Sequence, residues 1–211
     1  MENIEELIDR LAVDVTPARS VPPPLKLSFK LAGATMAYLA LSLAVSGLRP
    51  DMSAKLHEPW FMVEIVTLLL IFISTSLSAA LLAFPDLHQR RGAAFAPAVM
   101  FMLFVPVIFF AWNADSPPAP LPMHSFECTF SIILVSLLPA AWTFYTIRQY
   151  ASTHYRLAGS IALLSAFSVG ALWLRLHEVN DSVTHLIQWH YLPMLVFGMI
   201  GLLLGRVLLK W

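Results

Sequence analysis

The sequence predicts an all-α membrane protein, a bundle of six transmembrane helices that follows a short N-terminal cytoplasmic amphipathic helix. Of the 211 residues, 58% are hydrophobic and only 12% are charged, a composition typical of an integral membrane protein. The sequence lacks the strand-like alternation of polar and apolar residues, which argues against a β-barrel. The formal net charge is zero, so a basic surface for direct nucleic-acid binding is not expected.

Apolar runs predict the six spans in chain order, and each run is close to the about 20 residues that a helix needs to cross a bilayer. They lie at about 27–47, 60–84, 93–112, 126–146, 157–176 and 185–209. Prolines inside these runs suggest kinks whose freed carbonyl groups need partners on neighbouring helices. These prolines are Pro97, Pro106, Pro139 and Pro193. Gly201 and Gly205 have the small-residue spacing that allows two helices to approach closely.

Residues 1–26 are predicted to form a cytoplasmic amphipathic head and a proline-rich spacer, followed by the bundle of residues 27–211. The apolar residues of the head recur at helical spacing and form one stripe. They are Ile4, Leu7, Ile8, Leu11, Ala12 and Val15. Acidic residues cover the other face, whereas helices that lie on anionic membranes are rich in Lys and Arg. The head therefore either packs on the inner end of the bundle or offers its stripe to a groove on a soluble partner.

The basic residues predict that both termini are cytoplasmic, because cytoplasmic loops carry an excess of Lys and Arg. On the other side of the predicted spans lie only Arg49, Lys55 and Arg175. The side that carries the termini has Arg10, Arg19, Lys26, Lys30, Arg90, Arg91, Arg148, Arg156, Arg206 and Lys210.

This topology gathers possible ligands at the outer end of the bundle, and they are Glu64, His124, Glu127, Cys128, His177, Glu178, Asp181, His185 and His190. His177 and Glu178 begin like the zinc-protease motif HExxH, but Asp181 occupies its fifth position. His185 and His190 are five residues apart, about 140° around an α-helix, so one helical face should not offer both to one ion. Interhelical hydrogen bonds and a capped hairpin are favoured over a bound metal. The alternative is a metal ion, or a haem held by His177 with His185 or His190.

Structural roles are expected for the remaining polar groups of this region. A side-chain oxygen of Asp181 or Ser182 can cap the start of the sixth span. Arg175 can pair with Glu178 or with Asp181. Glu64 lies about one turn inside the second span and needs a partner there.

Cys128 is the single cysteine, which excludes an intramolecular disulfide. A role as a small packing residue is favoured, and the alternatives are a reactive sensor thiol or a metal ligand. The sequence shows no nucleophile with a base, no phosphate-binding loop and no pair of catalytic carboxylates. An enzyme is therefore not expected.

Several stretches in the same order carry a resemblance to a known family. They are LIDRLAVDVTPAR in the head, RPD after the first span, SLLP in the fourth span, LRLHEVNDSVTHLIQWHYLP and the terminal GRVLLKW. Together they resemble the bacterial negative regulators of sigma factor F, six-span inner-membrane anti-sigma factors that were formerly a family of unknown function. The resemblance implies a protein that holds an extracytoplasmic-function sigma factor at the membrane and releases it on stress. Metal and oxidative stress are among the signals proposed for the family.

One position departs from the family pattern. Members typically carry a cysteine directly after the histidine that aligns with His177, and this chain has Glu178 there. Cys128 matches a cysteine near the start of the fourth span. A sensor made of histidine and carboxylate groups, which binds a metal or a proton, therefore fits these residues better than a sensor with two thiols.

The leading hypothesis is that residues 1–20 dock on the sigma factor while the outer end receives the signal. The predicted partner-binding residues are Ile4, Leu7, Ile8, Leu11 and Val15, with Glu5 and Asp9 setting the orientation. The predicted sensor residues are Cys128, His177, Glu178, Asp181, His185 and His190, with a metal ion as a possible ligand. The partners are then the sigma factor and the lipid bilayer, without direct contact to nucleic acid. The alternative is a membrane redox or metal/haem-binding protein that uses the outer histidines.

Overall fold

The computed structural model describes residues 4–13, 22–85, 91–114 and 126–210, and within these ranges all regular elements are helices. They are α1 (Ile4–Val13), α2 (Pro24–Ser46), α3 (Met52–Lys55), α4 (Pro59–Leu82), α5 (Arg91–Ala94), α6 (Ala96–Ala114), α7 (Phe126–Arg148), α8 (Tyr155–His177), α9 (Val183–Leu186), a π-helical turn (Ile187–Tyr191) and α10 (Leu192–Leu208). The predicted all-α class is confirmed.

Six helical segments are long and apolar enough to cross a membrane, as predicted. They run over Pro24–Ser46, Pro59–Leu82, Ala96–Asn113, Phe126–Arg148, Tyr155–His177 and Val183–Leu208. The first begins three residues before the predicted position, because Pro24 starts the helix. Proline is favoured at this place, since its missing N–H would have no helical partner there. The chain is a multi-pass membrane protein built as a helical bundle.

Helix α8 is the centre of the bundle, with contacts to α2, α4, α7 and α10. Small residues allow the closest of these approaches. A Cβ added to Gly201 would lie 2.7 Å from the Cα of Ser160, and one added to Gly205 would lie 3.0 Å from the Cα of Gly159. Since no side chain fits between the two backbones, the predicted close approach at Gly201 and Gly205 is confirmed, with α8 as the partner helix.

Two of the prolines inside spans free a carbonyl group that a neighbouring helix then satisfies. Proline lacks the N–H that would bond to the carbonyl four residues earlier. For Pro139 this carbonyl belongs to Val135, and it accepts a hydrogen bond from the Tyr38 hydroxyl at 3.0 Å. For Pro193 it belongs to Trp189, and it accepts one from the Thr129 hydroxyl at 2.7 Å. The prediction that freed carbonyls find partners on other helices is confirmed at these two positions.

The two ends of the bundle differ in character. At the end where α2 begins and α10 ends, here called the terminal end, one apolar cluster contains Leu27, Ile147, Ala158 and Leu209. The opposite end, here called the distal end, carries the connections of residues 47–58 and 178–182. Gly47 ends α2 with a φ of 84°, a conformation that favours glycine. All candidate sensor residues lie in or beside the distal end.

Candidate functional site

The sixth span changes its helical geometry in the middle. After α9, residues Ile187–Tyr191 form a π-helical turn, in which the N–H of Leu192 donates to the carbonyl of Ile187, five residues earlier. A π turn takes up one more residue than an α turn. Two residues that are five positions apart across a π turn therefore lie on the same face of the helix, as two residues four apart do in an α-helix.

This turn brings His185 and His190 together. Their ring centroids are 5.2 Å apart, with the ring planes at 76°. The prediction that one helical face cannot present both histidines is wrong, because it assumed 3.6 residues per turn throughout the span. The sequence offers a hint in Pro193, which shortly follows the π turn and interrupts the regular α-helical bonding.

Four side chains from three spans meet at this point, and we call them the four-residue cluster. They are Cys128 at the start of α7, Glu178 directly after α8, His185 on α9 and His190 in the π turn. One ligand atom from each lies within 4.8 Å of every other. Both histidines are only 1% exposed. The structure thus assembles four of the six predicted sensor residues.

Glu178 lies between the other three members of the cluster. Its carboxylate accepts the Cys128 thiol, with sulfur–oxygen distances of 3.3 and 3.4 Å. The Nε2 atoms of His185 and His190 lie 3.7 and 3.4 Å from its two oxygens. Burial raises the pKa of Glu178, but the neighbouring His190, the Cys128 thiol and His185 outweigh it, so the pKa lies below its ordinary value. Glu178 is therefore a carboxylate near neutral pH.

The other two predicted sensor residues lie outside this cluster. His177 stacks on Trp173, with ring centroids 5.0 Å apart, and its Nδ1 is 2.9 Å from the carbonyl oxygen of Gly47. Asp181 belongs to a separate ionic network at the same end of the bundle. His124 lies outside the described residues.

Asp181 is the centre of that network. Its carboxylate accepts from Arg49 at 2.9 and 3.0 Å and from Arg175 at 2.6 Å, and it pairs with Lys55 at 2.8 Å. Burial raises the pKa of Asp181, but the bonds from Arg49, Lys55 and Arg175 hold it well below its ordinary range. The predicted pairing of Arg175 with Asp181 is confirmed.

The network continues into the membrane through Glu64. Nε of Arg175 donates to the Glu64 carboxylate at 3.0 Å, and the Tyr191 hydroxyl donates to the other oxygen of that carboxylate. Phe61 lies beneath both guanidinium groups, at 4.8 Å from Arg175 and 5.5 Å from Arg49. Glu64 thus has the partners that its position inside a span requires.

The predicted side-chain cap at the start of the sixth span is wrong. Neither Asp181 nor Ser182 caps α9 with a side-chain oxygen, since the Asp181 carboxylate is occupied by three cationic groups. The connection is held differently: the backbone N–H of Ser182 donates to Oδ1 of Asn180 at 3.0 Å.

The head is helical, as predicted, over Ile4–Val13. Ile4 and Ile8 are largely exposed, and Glu5 and Asp9 are exposed as well. Val15 and the side chains of Leu7 and Leu11 lie outside the described residues. The described part of the stripe is therefore accessible to a partner.

Comparison with known proteins decides the family. The family model described as "Negative regulator of sigma F" matches residues 11–211. This chain belongs to that family. It is similar to the anti-sigma-F factor NrsF of Caulobacter vibrioides (strain NA1000 / CB15N), with 29% identity over 211 residues that cover 98% of this chain and 99% of the relative. It is also similar to the probable anti-sigma-F factor NrsF of Azospira oryzae, with 28% identity over 221 residues, 98% of this chain and 99% of the relative. No solved structure matches the chain.

The resemblance noted from the sequence is thereby confirmed, but it did not reveal the role of Arg49. In the sequence, Arg49 and Lys55 stand out only as basic residues on the outer side of the predicted spans. The structure makes Arg49 one of the largest fully buried side chains, bonded to Asp51 and Asp181. The RPD stretch, which contains both Arg49 and Asp51, was the sequence signal for this role. An arginine and an acid two residues apart can form a bidentate ion pair.

Proposed function

We propose that this protein is a membrane-bound anti-sigma factor that sequesters an extracytoplasmic-function sigma factor through its N-terminal segment. It releases the factor on an envelope, metal or oxidative stress signal. The observation that carries the proposal is the family match over residues 11–211, together with two relatives that are named anti-sigma-F factors. The role is regulatory rather than catalytic.

The proposal places the protein in the bacterial inner membrane with the terminal end of the bundle in the cytoplasm. Six apolar helices support a multi-pass topology. An even number of spans puts both termini on one side, and the basic residues concentrate on that side, as the positive-inside rule requires for a cytoplasmic face. The sigma factor then meets α1 at the cytoplasmic surface.

Helix α1 is suited to be the docking element. A helix of ten residues is marginal in water by itself, so it gains stability from whatever covers its apolar stripe. Ile4 and Ile8 are exposed on that stripe, and the acids on the other face would orient the helix against a basic partner. An amphipathic helix that enters a groove is a common mode of peptide recognition.

The signal is proposed to enter at the distal end. Helix α8 joins the two ends, and its 23 residues extend about 35 Å. A signal at one end reaches the other only if it shifts the balance between two arrangements of the bundle. The connection of residues 178–182 is the natural input, since it holds both Glu178 and Asp181.

The docking role is tested with Ile8→Asp and a matched control, Val13→Asp, in the full-length protein. Both changes add one Asp to α1 at an exposed site, but Val13 lies about 140° from Ile8 around the helix. Burial of one such side chain contributes about 1.5–3 kcal/mol. Ile8→Asp should therefore weaken capture of the cognate sigma factor roughly 10- to 100-fold. Val13→Asp should leave capture near the wild-type level.

Affinity is measured with purified sigma factor and the protein in nanodiscs. Equal capture by the wild type and by Ile8→Asp would show that the stripe is not the docking surface. Equal loss in both variants would show that added negative charge, rather than the apolar face, is responsible. Normal membrane insertion of both variants is checked by their yield in the membrane fraction.

A further inference from the structure

The four-residue cluster has the composition and shape of a metal site. Its members offer one thiol, one carboxylate and two imidazoles. Neither ring nitrogen of His185 or His190 has a hydrogen-bond partner among the described residues, although both side chains are buried. Buried polar atoms without partners are rare in proteins, and a bound ion is one of their recognised explanations.

The spacing of the donor atoms agrees with tetrahedral coordination. With metal–ligand bonds of about 2.0–2.3 Å, two ligands of one tetrahedral zinc ion are separated by roughly 3.3–3.8 Å. The Cys128 sulfur and the Nε2 atom of His185 lie 3.3 and 3.7 Å from Oε1 of Glu178, and the Nε2 atom of His190 lies 3.4 Å from Oε2 of the same carboxylate. No two of the four ligand atoms are more than 4.8 Å apart. A modest inward movement of the side chains therefore completes the tetrahedron.

The charges of the cluster also favour a divalent cation. A thiolate and a carboxylate balance the two positive charges of the ion, and two neutral imidazoles add none. The complex is therefore neutral, which avoids an unpaired charge beside the hydrocarbon region. Binding releases the thiol proton of Cys128 to water, together with any proton held by the histidines, because the ligands must be deprotonated.

We propose that Cys128, Glu178, His185 and His190 bind one divalent transition-metal ion of the Zn²⁺ class. A thiolate and two imidazoles exclude Mg²⁺ and Ca²⁺ as preferred ions, since those ions select oxygen ligands. The bound ion ties α7, the connection after α8 and the start of the sixth span to one point. The site does not depend on sigma-factor capture.

The test uses full-length protein in detergent or nanodiscs, with any polyhistidine tag removed. Zn²⁺ is titrated in competition with a chelating fluorophore, and Co²⁺ is used as a spectroscopic probe. We expect one ion per chain, a tetrahedral Co²⁺ spectrum and a thiolate-to-cobalt charge-transfer band. The double variant His185→Ala/His190→Ala should lose at least about 100-fold in Zn²⁺ affinity, because two of four ligands are gone.

Two variants make the result specific. His177→Ala is the matched control, since His177 lies at the same end but bonds to Gly47 instead, and it should bind Zn²⁺ as the wild type does. Cys128→Ser exchanges a single atom and should abolish the charge-transfer band while the helical content stays the same. This variant decides the matter if the double histidine variant does not fold.

The proposal is overturned if the wild type shows no stoichiometric Zn²⁺ binding, or if His177→Ala loses as much affinity as the double variant. A charge-transfer band that survives in Cys128→Ser would also overturn it. Ile8→Asp should retain full Zn²⁺ binding even where sigma-factor capture is lost. Failure of the metal site and failure of the docking proposal are thereby told apart.

Discussion

Arg49 and Asp181 lie 132 positions apart in the chain and form a two-pronged ion pair, with nitrogen–oxygen distances of 3.0 and 2.9 Å. The pair joins the connection after the first span to the connection before the sixth. The backbone reinforces this junction, since the N–H of Arg49 donates to the carbonyl of Leu176 at 3.0 Å. The buried guanidinium group of Arg49 thus links the two connections of the distal end.

Loss of that guanidinium should destabilise the bundle strongly. Arg49→Met removes the shared partner of Asp51 and Asp181, but Asp181 keeps Lys55 and Arg175, so the cost should be that of lost charge-assisted hydrogen bonds, about 1.5–3 kcal/mol. The free energy of unfolding in detergent should fall by about this amount. Arg206→Met is the control, because Arg206 is exposed at the terminal end, and its stability should stay near that of the wild type.

The same network predicts a loss of stability in acid. Arg49, Lys55 and Arg175 hold the pKa of Asp181 below its ordinary value of 3.8 despite its burial. A carboxyl group whose pKa is lower in the folded protein stabilises the fold above its ordinary pKa, and this contribution fades as the pH falls toward the folded-state value. The thermal midpoint should therefore drop below about pH 4.

The variant Asp181→Asn tests whether Asp181 causes this pH dependence. Its neutral amide cannot titrate, so its thermal midpoint should be lower than that of the wild type at pH 7 and should change less between pH 5 and pH 3. Identical slopes for the two proteins would mean that other carboxylates cause the acid sensitivity. The measurement is a series of melting curves at fixed ionic strength, since salt screens exposed charges.

Arg175 and Glu64 should show strong energetic coupling. Arg175→Met leaves Glu64 as a buried carboxylate without its cationic partner, so the expected cost is about 3–5 kcal/mol. In the background of Glu64→Gln the same change should cost less, because the amide carries no charge and still accepts from Tyr191. A double-mutant cycle measures the difference, and an additive result would contradict the pairing.

The contact between α8 and α10 predicts a sharp contrast between two glycines. Gly201→Ala places a methyl group against backbone atoms of Gly159 and Ser160, which cannot move aside, so the cost should be about 1–3 kcal/mol. Gly33→Ala on α2 is the control, since nothing lies within 4 Å of its added Cβ. The control should be neutral or gain up to about 1 kcal/mol from helix propensity. Equal stability of the two variants would contradict the packing.

The spans were predictable because hydropathy is a local property of the chain. A run of apolar residues reports a membrane helix without knowledge of its neighbours, and the observed ends lie within a few residues of the predicted ones. The partners of the freed carbonyls at Val135 and Trp189 were predictable in kind, since a proline in a span demands them. Their identities, Tyr38 and Thr129, follow only from the packing.

The candidate site was predictable in composition but not in arrangement. Hydropathy and topology gathered Cys128, Glu178, His185 and His190 at one end, but the angle between the histidines depends on a change of helix type at which Pro193 alone hints. The sequence also could not predict that Glu178 joins the histidines while Asp181 joins the ionic network. This difference is decided by Arg49, which approaches from another part of the chain.

The π turn has a consequence for the sixth span as a whole. One residue taken up in the middle of a helix acts as a shift of phase, so the halves before and after it can face different neighbours. His185 and His190 turn toward α7 and Glu178, while Gly198, Gly201 and Gly205 still lie against α8. The two halves of one helix therefore present differently phased faces to their neighbours. A motif search that assumes one helical period from end to end would miss the pairing of the two histidines.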